Sequence, residues 1–406
     1  MGRTLRLLAG CALASVSLSG CWLQVGYDAG HTRNNAIETA LDARAAGSLT
    51  EAWSADLLAR AGEPLVKGNR VFVVSGGTEG YSVVTQAKAF AAADGDEAWE
   101  REWYGAGSAL FWQPSFVGDE LWTGYFMIDF TYRPYGSFAG PVRLNPADGS
   151  VLGSSQEAAG LSAPVDTGDL VVQSRVSISP LARQLAVRDK SGSGISWIGT
   201  LPGDLSLLPG SPPAVSDGRI FVGDSHFLTA FPLAGCGVAT CDPLWTLDLG
   251  TGATATVAPP GSPSVFVTRG NDLLAVDRAT GTISWTAPLG AAAPGLAVVG
   301  DDVFVGAGTT FAKYPLGGCG AATCQPTARV DVPTAVSAAP VAAAGVVYVG
   351  KAGAVQAFNT DLEPVVSLEV PGSPTSLAVA GGRLFVTTAQ DGGLPAKLVA
   401  FAPRAD

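Results

Sequence analysis

Four cysteines stand in two Cys-x4-Cys pairs, Cys236 with Cys241 and Cys319 with Cys324, inside near-copy loops: FPLAGCGVATCDPLW from Phe231 and KYPLGGCGAATCQPTA from Lys313. Four thiols match the ligand count of a structural zinc ion, and each pair alone matches a small disulfide ring. The loops fall in different repeats of the chain with a whole repeat between them, so two local disulfides are expected and no metal. Histidine offers little more. His226 stands in the polar turn Gly223-Asp224-Ser225-His226, a surface position, while His31 lies near Asp28 and Arg33. His31 could orient a ligand, or it could be hydrogen-bonded within a segment packed across the base of the fold. The Asp-Gly and Thr-Gly pairs at Asp94, Asp148 and Thr280 are turn chemistry, not phosphate loops. No catalytic residue, metal ligand or cofactor is assigned.

Aromatic residues carry the stronger signal. Twelve of the chain's 33 Trp, Tyr and Phe residues fall between Trp103 and Phe138. They include the long connection GYFMIDFTYRPYGSFAG at 124–140. Phe116 and Trp122 read as inward-facing core. Tyr125, Phe126, Phe130, Tyr132, Arg133, Tyr135 and Phe138 read as a binding surface, because Tyr, Trp and Arg bury large area at interfaces while keeping a polar tip.

These residues are set on a strand cassette that recurs eight times: VFVV at Val71, LWTG at Leu121, LVVQ at Leu170, IFVG at Ile220, VFVT at Val265, VFVG at Val303, VYVG at Val347 and LFVT at Leu384. Its central residues, Phe72, Trp122, Val171, Phe221, Phe266, Phe304, Tyr348 and Phe385, are spaced by 50, 49, 50, 45, 38, 44 and 37 residues. A four-stranded sheet cannot bury both faces alone, and this period predicts an all-β, eight-bladed β-propeller of four-stranded antiparallel blades. The last cassette supplies three strands and stops. A lone strand at Leu49–Leu57, with the outer-strand residue Trp53, should complete the last blade and close the ring.

Residues 273–285, LLAVDRATGTISW, show the grammar of a blade: apolar strand, polar turn ending in Gly, then an outer strand carrying Trp. This motif resembles the repeat of the quinoprotein-type, PQQ-binding-like β-propeller family. The lead-in string GYDAGHTRNN at 26–35 also resembles the segment that enters those propellers. The resemblance implies that the tryptophan docks on the neighbouring blade against a small residue, a role that Trp53, Trp99, Trp197, Trp245 and Trp285 fit. Blades 2, 6 and 7 lack it, with Gly153 at the equivalent place in blade 2, so those contacts should be looser or packed differently. Catalytic quinoproteins would need a carboxylate-rich calcium site, a catalytic Asp and, in alcohol-oxidising members, adjacent cysteines. This chain has no adjacent cysteines, and the residues leading into the inner strands are mainly small or Pro.

The N-terminus bears on location. Arg3 and Arg6 precede an apolar run at 7–18, too short for a membrane span, followed by Leu18-Ser19-Gly20-Cys21. LSGC resembles the lipobox of bacterial lipoproteins, which implies that residues 1–20 are a signal peptide and that Cys21 becomes the lipidated first residue. Residues 21–46 then form a lead-in and 47–406 the propeller. Without Arg3 and Arg6, 22 basic residues face 35 acidic ones, a net charge of roughly −13 that repels phosphate backbones. Nucleic acid is excluded as an expected partner. The expectation is a monomeric, extracytoplasmic, membrane-anchored lipoprotein of the cell envelope that binds a protein or glycan without catalysis. Its alternatives are an envelope-assembly subunit resembling the propeller lipoprotein of the barrel-assembly machinery, or a PQQ-dependent oxidoreductase.

Overall fold

The computed structural model describes residues 20–404 apart from 80–81, 106–108, 112, 128–140, 155–158, 161, 179–180, 191–193, 204–210, 225, 251, 392 and 394. Eight sheets follow one another along the chain as the blades of a propeller. Blade 5 is the plainest, with strands Ala253–Val257, Ser264–Arg269, Asp272–Asp277 and Ile283–Pro288 in antiparallel order from axis to rim. Its second and third strands are joined by a tight turn at Gly270, whose φ of 54° suits a residue without a Cβ. The cassette's central side chains are the core: Phe72, Phe221, Phe266, Phe304, Tyr348 and Phe385 are all buried. Removing each such ring from water contributes about 1.5–3 kcal/mol, and only blade-on-blade stacking can do it. Blade 2 departs from this, because Trp122 at the same register is only half-buried.

Closure follows the expected route. Leu49–Leu57 pairs antiparallel with Ala396–Pro403, from Leu49 opposite Pro403 to Leu57 opposite Ala396, so the two ends of the chain share blade 8. Blades 1 to 3 differ from the simple four-stranded plan. The second and third strands are long in blades 1 and 3, Arg70–Glu79 with Ser82–Ala91 and Leu170–Ile178 with Leu181–Asp189, whereas blade 2 pairs Glu120–Met127 with the short Pro141–Leu144. The innermost strand is split to match; in blade 1 the pieces Arg60–Ala61 and Leu65–Lys67 both pair with Arg70–Glu79, leaving Gly62-Glu63-Pro64 as the break. Two short segments also add parallel pairs: Asn34–Asn35 on the inner strand of blade 7, and Thr240–Cys241 on the outer strand of blade 3. The one helix among the described residues is Ala43–Ala46, and no described helix is long and apolar enough to cross a membrane.

Candidate functional site

The lead-in makes one circuit around the propeller axis. Trp22 bridges Val66 in the inner strand of blade 1, and the Leu23 carbonyl accepts from Phe116 N–H in blade 2. Gln24 Oε1 accepts from Asp166 N–H in blade 3, and the carbonyls of Ala29, Gly30, Thr32 and Arg33 accept from Val215, Ala258, Val298 and Ala342 in blades 4 to 7. Asn35 Nδ2 completes the ring by donating to the Val379 carbonyl of blade 8 at 2.7 Å. Each contact falls near the end of an inner strand just before its turn, so the circuit closes one axial end of the fold. Such a path needs abrupt turns, and Tyr27, His31 and Arg33 adopt positive φ at 77°, 58° and 55°. Non-glycine residues accept that conformation only where the surroundings hold it.

Glu63, at the break in the inner strand of blade 1, ties the circuit. Its buried carboxylate accepts from Trp22 Nε1 and Gly26 N–H at 2.7 Å, while its other oxygen takes Arg33 Nη1 at 2.9 Å. Sequence reading passed over it; the signal was a single carboxylate among the small residues and prolines that lead into the inner strands. Asp28 accepts from Thr32 N–H at 2.9 Å and from its hydroxyl at 2.5 Å, and burial raises its pKa. Burial, helped by the Arg33 charge, pushes His31 down to about 3, so its ring is neutral at ordinary pH. Burial and the neighbouring Asp28 charge push the Tyr27 hydroxyl up to about 12. The ionisable residues of this end therefore hold the segment in place. His226 lies at an exposed turn whose backbone N–H donates to Asp224 Oδ1 at 2.8 Å. Among the described residues no group of three or more His, Cys, Asp or Glu is placed to hold a metal ion.

The five tryptophans lie at the blade contacts. Within its own sheet Trp99 stands opposite Ala89, Trp285 opposite Ala275, Trp245 opposite Ala230, Trp53 opposite Ala400 and Trp197 opposite Val187. Each indole then covers a glycine of the following blade: Trp53 on Gly95, Trp99 on Gly149, Trp197 on Gly235, Trp245 on Gly281 and Trp285 on Gly318. All five glycines have φ between 69° and 81°, and a Cβ at any of them would come within 2.6–2.7 Å of the ring. Two separate sequence features meet here. Cys236 and Cys241, and Cys319 and Cys324, are at bonding distance in their own loops. Those loops carry Gly235 and Gly318, and each also adds a strand-like edge to the preceding blade, through Ile198 N–H to the Ala239 carbonyl and Thr286 N–H to the Ala322 carbonyl. The rings thus brace the platforms on which Trp197 and Trp285 rest.

The aromatic region of blade 2 is divided. Phe116 is core, edge-on to Phe72 with ring centres 5.2 Å apart, whereas Trp122 lines a surface cleft and Tyr104 is exposed. Tyr125 and Phe126 belong to the strand Glu120–Met127; Phe130, Tyr132, Arg133, Tyr135 and Phe138 lie outside the described residues. The connection that holds them leaves at Met127 and returns at Pro141, at the opposite end of the blade from the lead-in. Cys21, the expected lipid site, begins the lead-in, and its carbonyl accepts from Asn35 Nδ2 at 3.3 Å.

Eight four-stranded blades in a ring, five of their contacts filled by an indole on a glycine, define an eight-bladed β-propeller. Residues 234–314 match the family described as outer membrane protein assembly factor BamB, a family of PQQ-like propeller repeats. Among solved structures, BamB from Moraxella catarrhalis is similar over 88% of this chain and 98% of its own, at 15% identity and a TM-score of 0.55. Sqt1 from Saccharomyces cerevisiae is similar over 88% and 98%, at 13% identity and a TM-score of 0.58. Sqt1 from Chaetomium thermophilum, bound to the N-terminus of ribosomal protein L10, is similar over 86% and 97%, at 11% identity and a TM-score of 0.58. At these identities the likeness is one of fold. No curated protein sequence matches the chain significantly.

Proposed function

We propose that this chain is a non-catalytic envelope scaffold that binds a protein partner and is held to a membrane by lipid on Cys21 after removal of residues 1–20. The observation that carries the reading is the lead-in circuit: one axial end is occupied by the chain itself, with Glu63, Asp28 and Arg33 engaged in holding it. The propellers it resembles in fold include one bound to a ribosomal protein segment, which supports a protein as the partner class. A lipid on Cys21 would set the lead-in end toward the membrane. The blade 2 connection bearing Tyr132, Arg133 and Tyr135 springs from the far end and is the partner surface of this reading. The match of residues 234–314 to the BamB family favours, as the finer role, a subunit of an envelope-assembly complex.

Replacing Tyr132, Arg133 and Tyr135 together with Ser tests the surface. Capture of a partner from envelope extract should be lost while the melting temperature moves by a few degrees at most. Unfolding of the triple variant would make the cluster core; retained capture by a folded variant would place the site elsewhere.

A further inference from the structure

Of the eight blade contacts, five are filled by an indole on a glycine, and two of the other three are filled by the chain in another way. Between blades 6 and 7 the turn residue Leu362, at φ 64°, is buried beside Phe304 and Phe311. Between blades 7 and 8 the helix Ala43–Ala46 packs on the outer strand Pro364–Glu369, with Leu41 and Ala46 buried. The contact between blades 2 and 3 is different. Its sheet register puts Arg143 opposite Gly153, where blades 1, 4, 5 and 8 have an alanine opposite Trp, so the large and small positions are exchanged. The Arg143 guanidinium lies over Gly153: a Cβ there would meet Nη2 at 2.7 Å.

The exchange leaves a cleft of about 590 Å³, within the range of small-ligand sites, between Trp122, Pro141, Arg143 and Gly153 of blade 2 and Val171 and Lys190 of blade 3. Its polar groups are arranged around an aromatic wall. Glu120 Oε2 accepts from Trp122 Nε1 at 3.1 Å and from Arg143 Nη1 at 3.3 Å, which satisfies the indole N–H and holds the guanidinium beside the opening. The rest of the lining is mostly charged, with Asp119 and Glu120 on the blade 2 side and Arg188 and Asp189 beside Lys190 on the blade 3 side. The indole of Trp122 is thus the one aromatic wall, among the described residues, of a cleft rimmed by cations and carboxylates. An indole wall with guanidinium groups beside it suits an aromatic ring, which gains from cation–π and ring–ring contacts that an aliphatic guest lacks.

We infer that the cleft between blades 2 and 3 is a seat for an aromatic side chain, foremost tryptophan, supplied by a protein partner. The partner's ring takes the place that the chain's own indole fills at the neighbouring contacts. This inference rests on the protein-binding reading above and adds a second, side-wall contact to it.

The test uses the full mature chain, N-acetyl-L-tryptophanamide as probe and N-acetyl-L-leucinamide as control, read by NMR shifts of the Gly153 amide and by saturation transfer. The wild type should bind the indole probe at least about tenfold tighter than the control. Arg143→Ala with Gly153→Trp rebuilds the Ala/Trp pair of blade 5; it should abolish probe binding and raise the melting temperature. If that variant does not fold, Trp122→Leu must still remove the selectivity. Equal binding of the two probes by the wild type, or undiminished indole binding by the folded variant, overturns the inference. If the cleft fails this test while a partner is still captured from envelope extract, only the cleft assignment falls.

Discussion

Gly281 and Gly290 allow the blade contact to be weighed with its own control. Both have positive φ, 75° and 77°, so alanine at either carries the same backbone penalty of about 1–2 kcal/mol. They differ in surroundings. A Cβ at Gly281 would lie 2.6 Å from the Trp245 indole, whereas at Gly290 nothing lies within 4 Å. Forcing a methyl into that packed contact adds about 1–3 kcal/mol, since Trp245 must leave its place and release the bond from its Nε1 to the Arg278 carbonyl. With an unfolding entropy near 2.1 cal/mol/K per residue over roughly 380 residues, each kcal/mol moves the midpoint by about 1.2 °C. Gly281→Ala should therefore melt about 1–4 °C below Gly290→Ala in differential scanning calorimetry, and intrinsic fluorescence should report a more hydrated Trp245. Equal losses in the two variants would show that the indole contact contributes nothing beyond backbone geometry, and the account of blade docking would fail.

Three further outcomes follow from the same structure. Glu63→Gln removes the charge that pairs with Arg33 and should cost about 3–5 kcal/mol, with faster tryptic cleavage after Arg33; unchanged stability and cleavage would mean that the lead-in is held elsewhere. His31, with a folded pKa near 3 against an ordinary value near 6.5, is protonated more readily unfolded, so its contribution is present above pH 6.5 and is lost as pH falls. Between pH 7 and pH 5 this amounts to about 2 kcal/mol, which should vanish from the difference between wild type and His31→Asn in denaturant titrations; Asp28, raised by burial, acts in the opposite sense in both proteins. Deleting Leu49–Leu57 should bare the edge of Ala396–Pro403 and aggregate the protein in light scattering, and a soluble monomer would refute ring closure.

The architecture was legible because each cassette writes the same apolar alternation, and because a blade that ends one strand short must find its partner at the other end of the chain. Leu49–Leu57 could be placed on that ground alone. The tryptophans were legible as a set, but not their seats: the glycine beneath each indole comes from the next blade, and no spacing within one repeat reveals it. The link between the cysteine loops and Trp197 and Trp285 was hidden for the same reason. The circuit of the lead-in was less legible still, since it depends on backbone bonds from a segment of irregular sequence to six blades and on the Gln24 and Asn35 side chains for the other two. Gly153 was visible as a missing Trp, but its pairing with Arg143, and the cleft that this opens, required the register. Trp122 looked like core by its place in the cassette and instead lines that cleft, because the exchange at Arg143 and Gly153 removes the packing that would cover it.

Cross-linking of the full chain in intact envelopes, followed by mass-spectrometric identification of the linked residues, tests the central claim most directly. The account predicts a stoichiometric protein partner linked through the end of the propeller away from the lead-in, around the blade 2 connection. Cross-links confined to the lead-in end, or no protein partner together with stoichiometric binding of a quinone cofactor by the purified chain, would contradict it.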